Sequence, residues 1–199
     1  MKLGNCADIR SGLVLSRKLS KIKTDHRYKL LNLRSINNDT TINMETLDVF
    51  DSIEELNTEY ITRKNDVIIR MSAPYTAVLI TEKEEGLLIP SYFVIIRTDN
   101  KSFLPKYLYW YLNREQVKKR IIKNSGQNML GAIRPQFFAE LKIPEIPIQK
   151  QEILAEVNIL AKEEEKLIKQ LLENKRKFYQ IELNKIYKDF TKQEKKNDN

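Results

Sequence analysis

One cysteine (Cys6) and one histidine (His26) stand among 199 residues. A disulfide framework, a Cys/His zinc cluster and a Cys–His catalytic pair are therefore excluded within one chain. A semi-buried thiol and a surface imidazole are the expected roles. The 5 glycines are too few for a collagen-like or low-complexity chain. They also leave no phosphate loop, neither GxGxxG nor GxxxxGK followed by Ser or Thr. An Asn-Pro-Pro-Tyr tetrapeptide and a glycine-rich cofactor strand, as in an adenine methyltransferase, are missing too, so no cofactor is expected in this chain. Long apolar runs are absent. The best stretches, such as Ala77 to Ile80 and Phe93 to Ile96, fall far short of the roughly 20 residues that cross a bilayer. Asp8 and Arg10 interrupt the N-terminal segment before an apolar leader core can form, and a cytoplasmic location is expected.

What is present in excess is positive charge, 35 Lys plus Arg against 27 Asp plus Glu, a net +8. Its distribution says more than its size. Residues 1 to 34 carry nine basic and two acidic side chains, residues 35 to 99 five and twelve, residues 100 to 147 nine and three, and residues 148 to 199 twelve and ten. Two basic blocks flank an acidic middle, as a fold with a basic face opposite an acidic one requires. A polyanion such as nucleic acid is the natural partner of that face. Ordinary surface lysine is the other reading of the same balance.

Every glycine and every proline precedes residue 148. Before that boundary, short β-branched runs separated by turn-prone residues read as strands: Tyr28 to Leu33, Val67 to Met71, Thr76 to Thr81, Leu87 to Ile89 and Tyr92 to Arg97. Leu104 to Asn113 and Glu115 to Lys123 read as helices, the first with Pro105 near its start. The fold class is α+β: a mixed module over residues 1–147, then one long helix over 148–190, then a polar tail over 191–199 expected to fray. In the helix, apolar residues recur at steps of three and four, and such a helix would run ~65 Å at 1.5 Å per residue. The best seam runs Val157, Leu160, Glu164, Leu167, Leu171, Asn174 and Phe178, interrupted by the polar Glu164 and Asn174, and Ile153 and Ile181 extend the expected dimerisation face. Another helix is needed to cover it, and a second copy of the chain is the simplest supply; Asn174 in the seam can fix register. A helix folded back on its own module, or broken near Asn174, is the alternative.

Within the module, Arg17, Lys18, Lys21, Lys23 and Arg27 crowd a loop after Ser11-Gly12 and can neutralise several phosphates. Arg70, Asn124, Gln127, Asn128 and Arg134 are donors and amides of the kind that read base edges. Tyr75 is a candidate groove contact, although an aromatic beside a strand more often belongs to the core. Glu140-Leu141-Lys142 matches the Glu-x-Lys half of a metal-dependent nuclease site, but its nearest upstream Asp99 lies 41 residues back. A salt-bridged surface is the competing reading of that tripeptide.

The order of segments carries a resemblance. KLGNCADIRSGL, NDVIIRM, LPKYLYWYLN and SGQNMLGAIRPQFFAELKIPEIPIQKQEI lead in turn into the long helix. This series resembles the specificity subunit of type I restriction-modification systems. Most diagnostic is the last block, with Gly126-Gln127, Ile133, the Phe137/Phe138 to Leu141 run, Ile143-Pro144, Pro147, Gln151 and Ile153 in order. Independently of any family, Pro144 and Pro147 stiffen the exit from the module. The resemblance implies a non-catalytic subunit whose target-recognition domains each read one half of a split sequence in double-stranded DNA. It further implies partner methyltransferase subunits, which use S-adenosylmethionine to methylate adenine, and an endonuclease subunit in the full complex. With one domain and one helix, the chain resembles a half-length form, expected to act as a homodimer through the helix. A coiled-coil assembly module without DNA specificity is the alternative function.

Overall fold

The computed structural model describes residues 1–125 and 133–197. Its chain divides into two units, Met1–Ala155 and Glu156–Asn199. The first is an α+β module built on a four-stranded antiparallel sheet of order β1-β6-β4-β5, where β1 is Ala7–Ser11, β4 Val67–Arg70, β5 Ala77–Leu79 and β6 Phe93–Thr98. A separate two-stranded sheet joins β2 (Arg27–Leu30) to β3 (Asp48–Asp51).

The runs VIIR and FVIIRT are almost wholly apolar because the sheet is covered on both faces. Val67, Ile69, Ala77, Val94 and Ile96 turn to one side, where α1 (Pro105–Asn113), α2 (Glu115–Ser125) and α3 (Pro135–Glu140) supply Tyr107, Leu108, Leu112, Val117, Ile121 and Phe138. Ile68, Val78, Phe93 and Ile95 turn to the other and meet Leu31, Ile36, Ile80, Leu87 and Ile89 from irregular segments. Leu30 and Phe50 of the small sheet close a third cluster with Leu13, Leu56 and Leu88.

Arg97 makes a two-pronged pair with Asp66, Nε to Oδ1 at 2.8 Å and Nη2 to Oδ2 at 2.9 Å, and also donates to the Ile61 carbonyl at 2.9 Å. Asp66 is 3% exposed and accepts from the Arg63 N–H at 2.9 Å, so its charge is fully partnered.

Several elements depart from the sequence expectation. Leu87 to Ile89 is not a strand; it makes isolated bridges to Leu30 and Ile61 while its side chains fill two clusters. Strands β1 and β3 and helix α3 carry charges or glycine neighbours that mask their period. The last helix, α4 (Ile148–Asn197), is unbroken at Asn174 and continues past Phe190. Lys, Gln and Glu are good helix formers, so the polar tail propagates the helix without an apolar stripe. Its first two turns belong to the module, where Gln151 is 0% and Ala155 1% exposed.

Candidate nucleic-acid interface

Antiparallel pairing decides which loops come together. Both β1 and β4 run against β6, so both leave the sheet at the end where β6 begins. Ser11 and Ile69 flank Val94 in register; one step further, the Gly12 N–H donates to the Phe93 carbonyl at 3.1 Å while Arg70 pairs with Phe93 from the other side. With strands about 4.8 Å apart, Gly12 and Arg70 lie on the order of 10 Å from each other. The basic loop that follows Gly12 and the loop from Met71 to Thr76 are thus rooted at one edge. A third segment returns there, because the Ile133 N–H donates to the Met71 carbonyl at 3.0 Å and carries Arg134 with it.

Gly12 is required at that root. A Cβ would stand 2.2 Å from the Ile89 carbonyl oxygen and 2.3 Å from that of Pro90, backbone atoms that cannot swing aside. This close approach lets the Leu13 N–H donate to the Ile89 carbonyl at 2.8 Å and turns the chain into the basic loop. Beside it lies a hollow of ≈ 490 Å³ whose wall includes Gly12, Val14, Arg17, Lys18, Glu54 and Tyr60.

The charged side chains differ in how free they are. Arg17, Lys21, Lys23 and Arg134 are exposed and make no ion pair or side-chain hydrogen bond among the described residues. Lys18 is paired with Glu54, and Arg27 lies 3.9 Å from Asp51. Arg70 is half-buried, and its Nε has no partner. Burial lowers its pKa from the ordinary arginine value, which marks a charge held with less water than usual and no carboxylate in compensation. Because that Nε is itself buried, only the two Nη groups of this guanidinium are in a position to meet an outside acceptor.

Other sequence candidates are placed differently. Tyr75 is 4% exposed and packs in the main core, so it is a structural residue with no face for a groove. Asn124 donates to the Arg120 carbonyl of its own helix at 2.8 Å, which occupies part of its amide. Gln127 and Asn128 lie outside the described residues. Alternation also puts Lys29 beside Arg27 on the outer face of β2, exposed and without an ion pair among the described residues, a position that no motif in the sequence marks.

Glu140 accepts from Gln136 at 2.8 Å, and Asp99 accepts from the N–H groups of Lys101 and Ser102 at 3.0 and 3.2 Å. Asp99 follows β6, at the end of the sheet opposite Arg70. No cluster of three or more His, Cys, Asp or Glu suited to a metal occurs among the described residues. None of the described helices is long and apolar enough to cross a membrane.

In the second unit, every large apolar side chain from Val157 to Phe190 that points outward is 47 to 68% exposed, including Val157, Leu160, Leu167, Leu171, Phe178 and Ile181. Asn174 is exposed as well, and so is Ile153 at the helix start within the module. Glu165–Lys169 and Glu173–Lys177, at 2.6 and 2.9 Å, brace the helix along its polar side with the favourable order of acid before base.

No protein-family model and no curated protein sequence matches the chain. Solved structures do. The chain is similar to the HsdS subunit from Thermoanaerobacter tengcongensis, with a TM-score of 0.59 and 15% identity over 86% of this chain and 43% of that one. A chain solved in work on complex assembly and conformational transition of the type I R-M system gives 0.58 and 16%, over 84% and 43%. The S subunit of the type I restriction-modification system from M. genitalium gives 0.52 and 17%, over 87% and 41%. The chain thus spans less than half the length of these proteins, and shares their fold.

Proposed function

We propose that this chain is a DNA-specificity component of a type I restriction-modification system. Its module would read one half of a split duplex target, while α4 would set the distance to a second reader. What carries this reading is the gathering of Arg17, Arg70 and Arg134, without a carboxylate partner among the described residues, around one end of a sheet whose fold is that of specificity subunits. Unpaired guanidinium groups on loops are suited to phosphates and to the O6/N7 edge of guanine, where one bidentate contact contributes about 1–3 kcal/mol of discrimination. Lys21 and Lys23 would add affinity through phosphates, at the cost of salt sensitivity.

On this reading the chain performs no bond chemistry. Methyltransferase subunits, carrying S-adenosylmethionine, would methylate adenine in the bound target, and an endonuclease subunit would restrict unmodified DNA. The exposed stripe of Ile153, Val157, Leu160, Leu167, Leu171, Phe178 and Ile181 would be covered by the same helix of a second copy, with Asn174 limiting the register. A twofold homodimer would carry identical readers, and so a palindromic split target.

Methylome sequencing of a host with and without this chain and its companion methyltransferase tests the proposal directly. Loss of one adenine-methylated, two-part motif is the expected result, and an unchanged methylome argues against it. The bare apolar stripe equally suits an assembly protein that binds no DNA. Dimerisation without any duplex preference, with the methyltransferase present, would favour that second reading.

A further inference from the structure

Ile22 is 75% exposed, more than any other large apolar side chain among the described residues. It is not on a loose strand of chain. On one edge of the segment after β3, the Ser20 N–H donates to the Asp51 carbonyl at 2.9 Å and the Ile53 N–H to the Lys18 carbonyl at 3.0 Å. On the opposite edge, the Ser52 N–H donates to the His26 carbonyl at 2.9 Å. The loop from Ser20 to His26 therefore crosses over that segment from one side to the other. Thr24 ties the crossing down, its Oγ1 donating to the Ser52 carbonyl at 2.8 Å. Ser20 Oγ closes the near side, accepting from the Ile22 N–H at 3.2 Å and donating to the Ile22 carbonyl at 2.8 Å. With its own backbone groups held inward by Ser20, Ile22 stands at the apex of a braced arch.

The flanking residues decide what this apex meets. Lys21 and Lys23 stand on either side of it, both exposed and without a partner among the described residues. Asp25 shares the loop, and the segment it crosses carries Asp51, Glu54 and Glu55, of which Asp51 lies 3.9 Å from Arg27 and Glu54 pairs with Lys18; Lys21, Lys23 and Lys29 are the cations left over there among the described residues. Centres of protein–protein interfaces are depleted in lysine, which makes an isoleucine bracketed by two lysines a poor anchor for another protein. For a duplex the order fits: an apolar side chain is placed between base edges while ammonium groups meet phosphates on each side.

We infer that Ile22 is a base-contacting residue, an apolar tooth that enters a groove of the duplex between the two lysine contacts. The inference rests on the DNA-recognition reading above. Ile22 touches either a thymine methyl in the major groove or a deformable pyrimidine–purine step, and both give sequence preference without a hydrogen bond.

The test uses the full chain with its companion methyltransferase subunit and a pool of randomised 40-base-pair duplexes. After selection, the wild type is compared with Ile22→Ala and with the double variant Lys21→Ala/Lys23→Ala. Because Ile22 is exposed, neither variant is expected to lower the melting temperature. Ile22→Ala should weaken the selected duplex about tenfold, the scale of losing most of one buried isoleucine, and relax the preference at one or two positions. Its salt slope and its binding to unselected duplex should stay at the wild-type values. The lysine double variant should do the reverse, reducing the slope by about two and weakening all duplexes alike. Wild-type affinity and an unchanged selected sequence for Ile22→Ala overturn the inference while leaving the DNA reading intact. Retained DNA affinity with lost methyltransferase binding overturns it in favour of a protein contact. A wild type that selects no duplex removes the DNA reading itself.

Discussion

Gln151 joins three stretches of chain and is the most exacting test of how the module holds the start of the long helix. It is 0% exposed; its Oε1 accepts from the Leu104 N–H at 2.9 Å, and its Nε2 donates to the Ser102 and Ile146 carbonyls at 2.9 and 3.0 Å. The segment before α1, the proline-stiffened exit and the first turn of α4 are thereby held by one amide. Three such bonds contribute about 1 kcal/mol each, and stripping the amide leaves buried groups unsatisfied at further cost, so Gln151→Ala should destabilise the module by about 3–5 kcal/mol. With a urea slope of about 2 kcal/mol/M, the midpoint should fall by roughly 1.5–2.5 M. Trp110, the one tryptophan, lies on α1 beside Tyr107 with ring centroids 5.6 Å apart, so its fluorescence follows unfolding of this region. Gln151→Glu separates geometry from charge. The introduced carboxylate still accepts from Leu104 but faces two carbonyl oxygens, so its defect should be worst at neutral pH and ease on acidification. A loss below about 1 kcal/mol for Gln151→Ala would refute the claim that this amide fastens the junction.

Gly12→Ala should cost about 1–3 kcal/mol through overpacking against the Ile89–Pro90 backbone, read by thermal melting, and should weaken duplex binding because the basic loop is re-aimed. Replacing Leu167 and Leu171 together by Lys should shift sedimentation of a dimer to that of a monomer at micromolar concentration, with the melting of the module unchanged. Stability should fall in alkali: burial, and then the neighbouring Tyr111, raise the Tyr107 phenol above its ordinary 10.0, and burial raises the Cys6 thiol above 9.0. The unfolded chain loses these protons first, so the contribution is intact below about pH 9 and disappears as pH rises through the folded values. Urea midpoints measured from pH 7 to 11 check the sign.

The fold class was legible because composition changes so sharply after Pro147, and because the β-branched runs VIIR and FVIIRT, bounded by turn-prone residues, read as strands. Strand β1 was not, since Asp8 and Arg10 alternate with Ala7 and Ile9 only over a handful of residues. Its character comes from pairing with β6, a partner 80 or more residues away in the chain. The same limit applied to the site. Arg17 and Arg70 were recognisable as donors one by one, but their shared edge follows from β1 and β4 both running against β6, which no local pattern records. Tyr75, a candidate groove contact, takes instead the core role that an aromatic beside a strand also offered, and its ring completes the main core. Ile22 went unnoticed because a lone isoleucine between lysines has no period to display.

The two extremities of the folded module are stitched to each other. Lys2 bridges Lys142, and the Leu3 N–H donates to the Leu141 carbonyl at 3.0 Å, just ahead of the prolines that lead into α4. A globule whose ends are neighbours behaves as a cassette: it occupies a single gap in a longer polypeptide, and it can be swapped for another of different taste while the rod that follows keeps its footing. If the proposed DNA reading holds, recombination at that seam would exchange the reader and keep the helix that follows it.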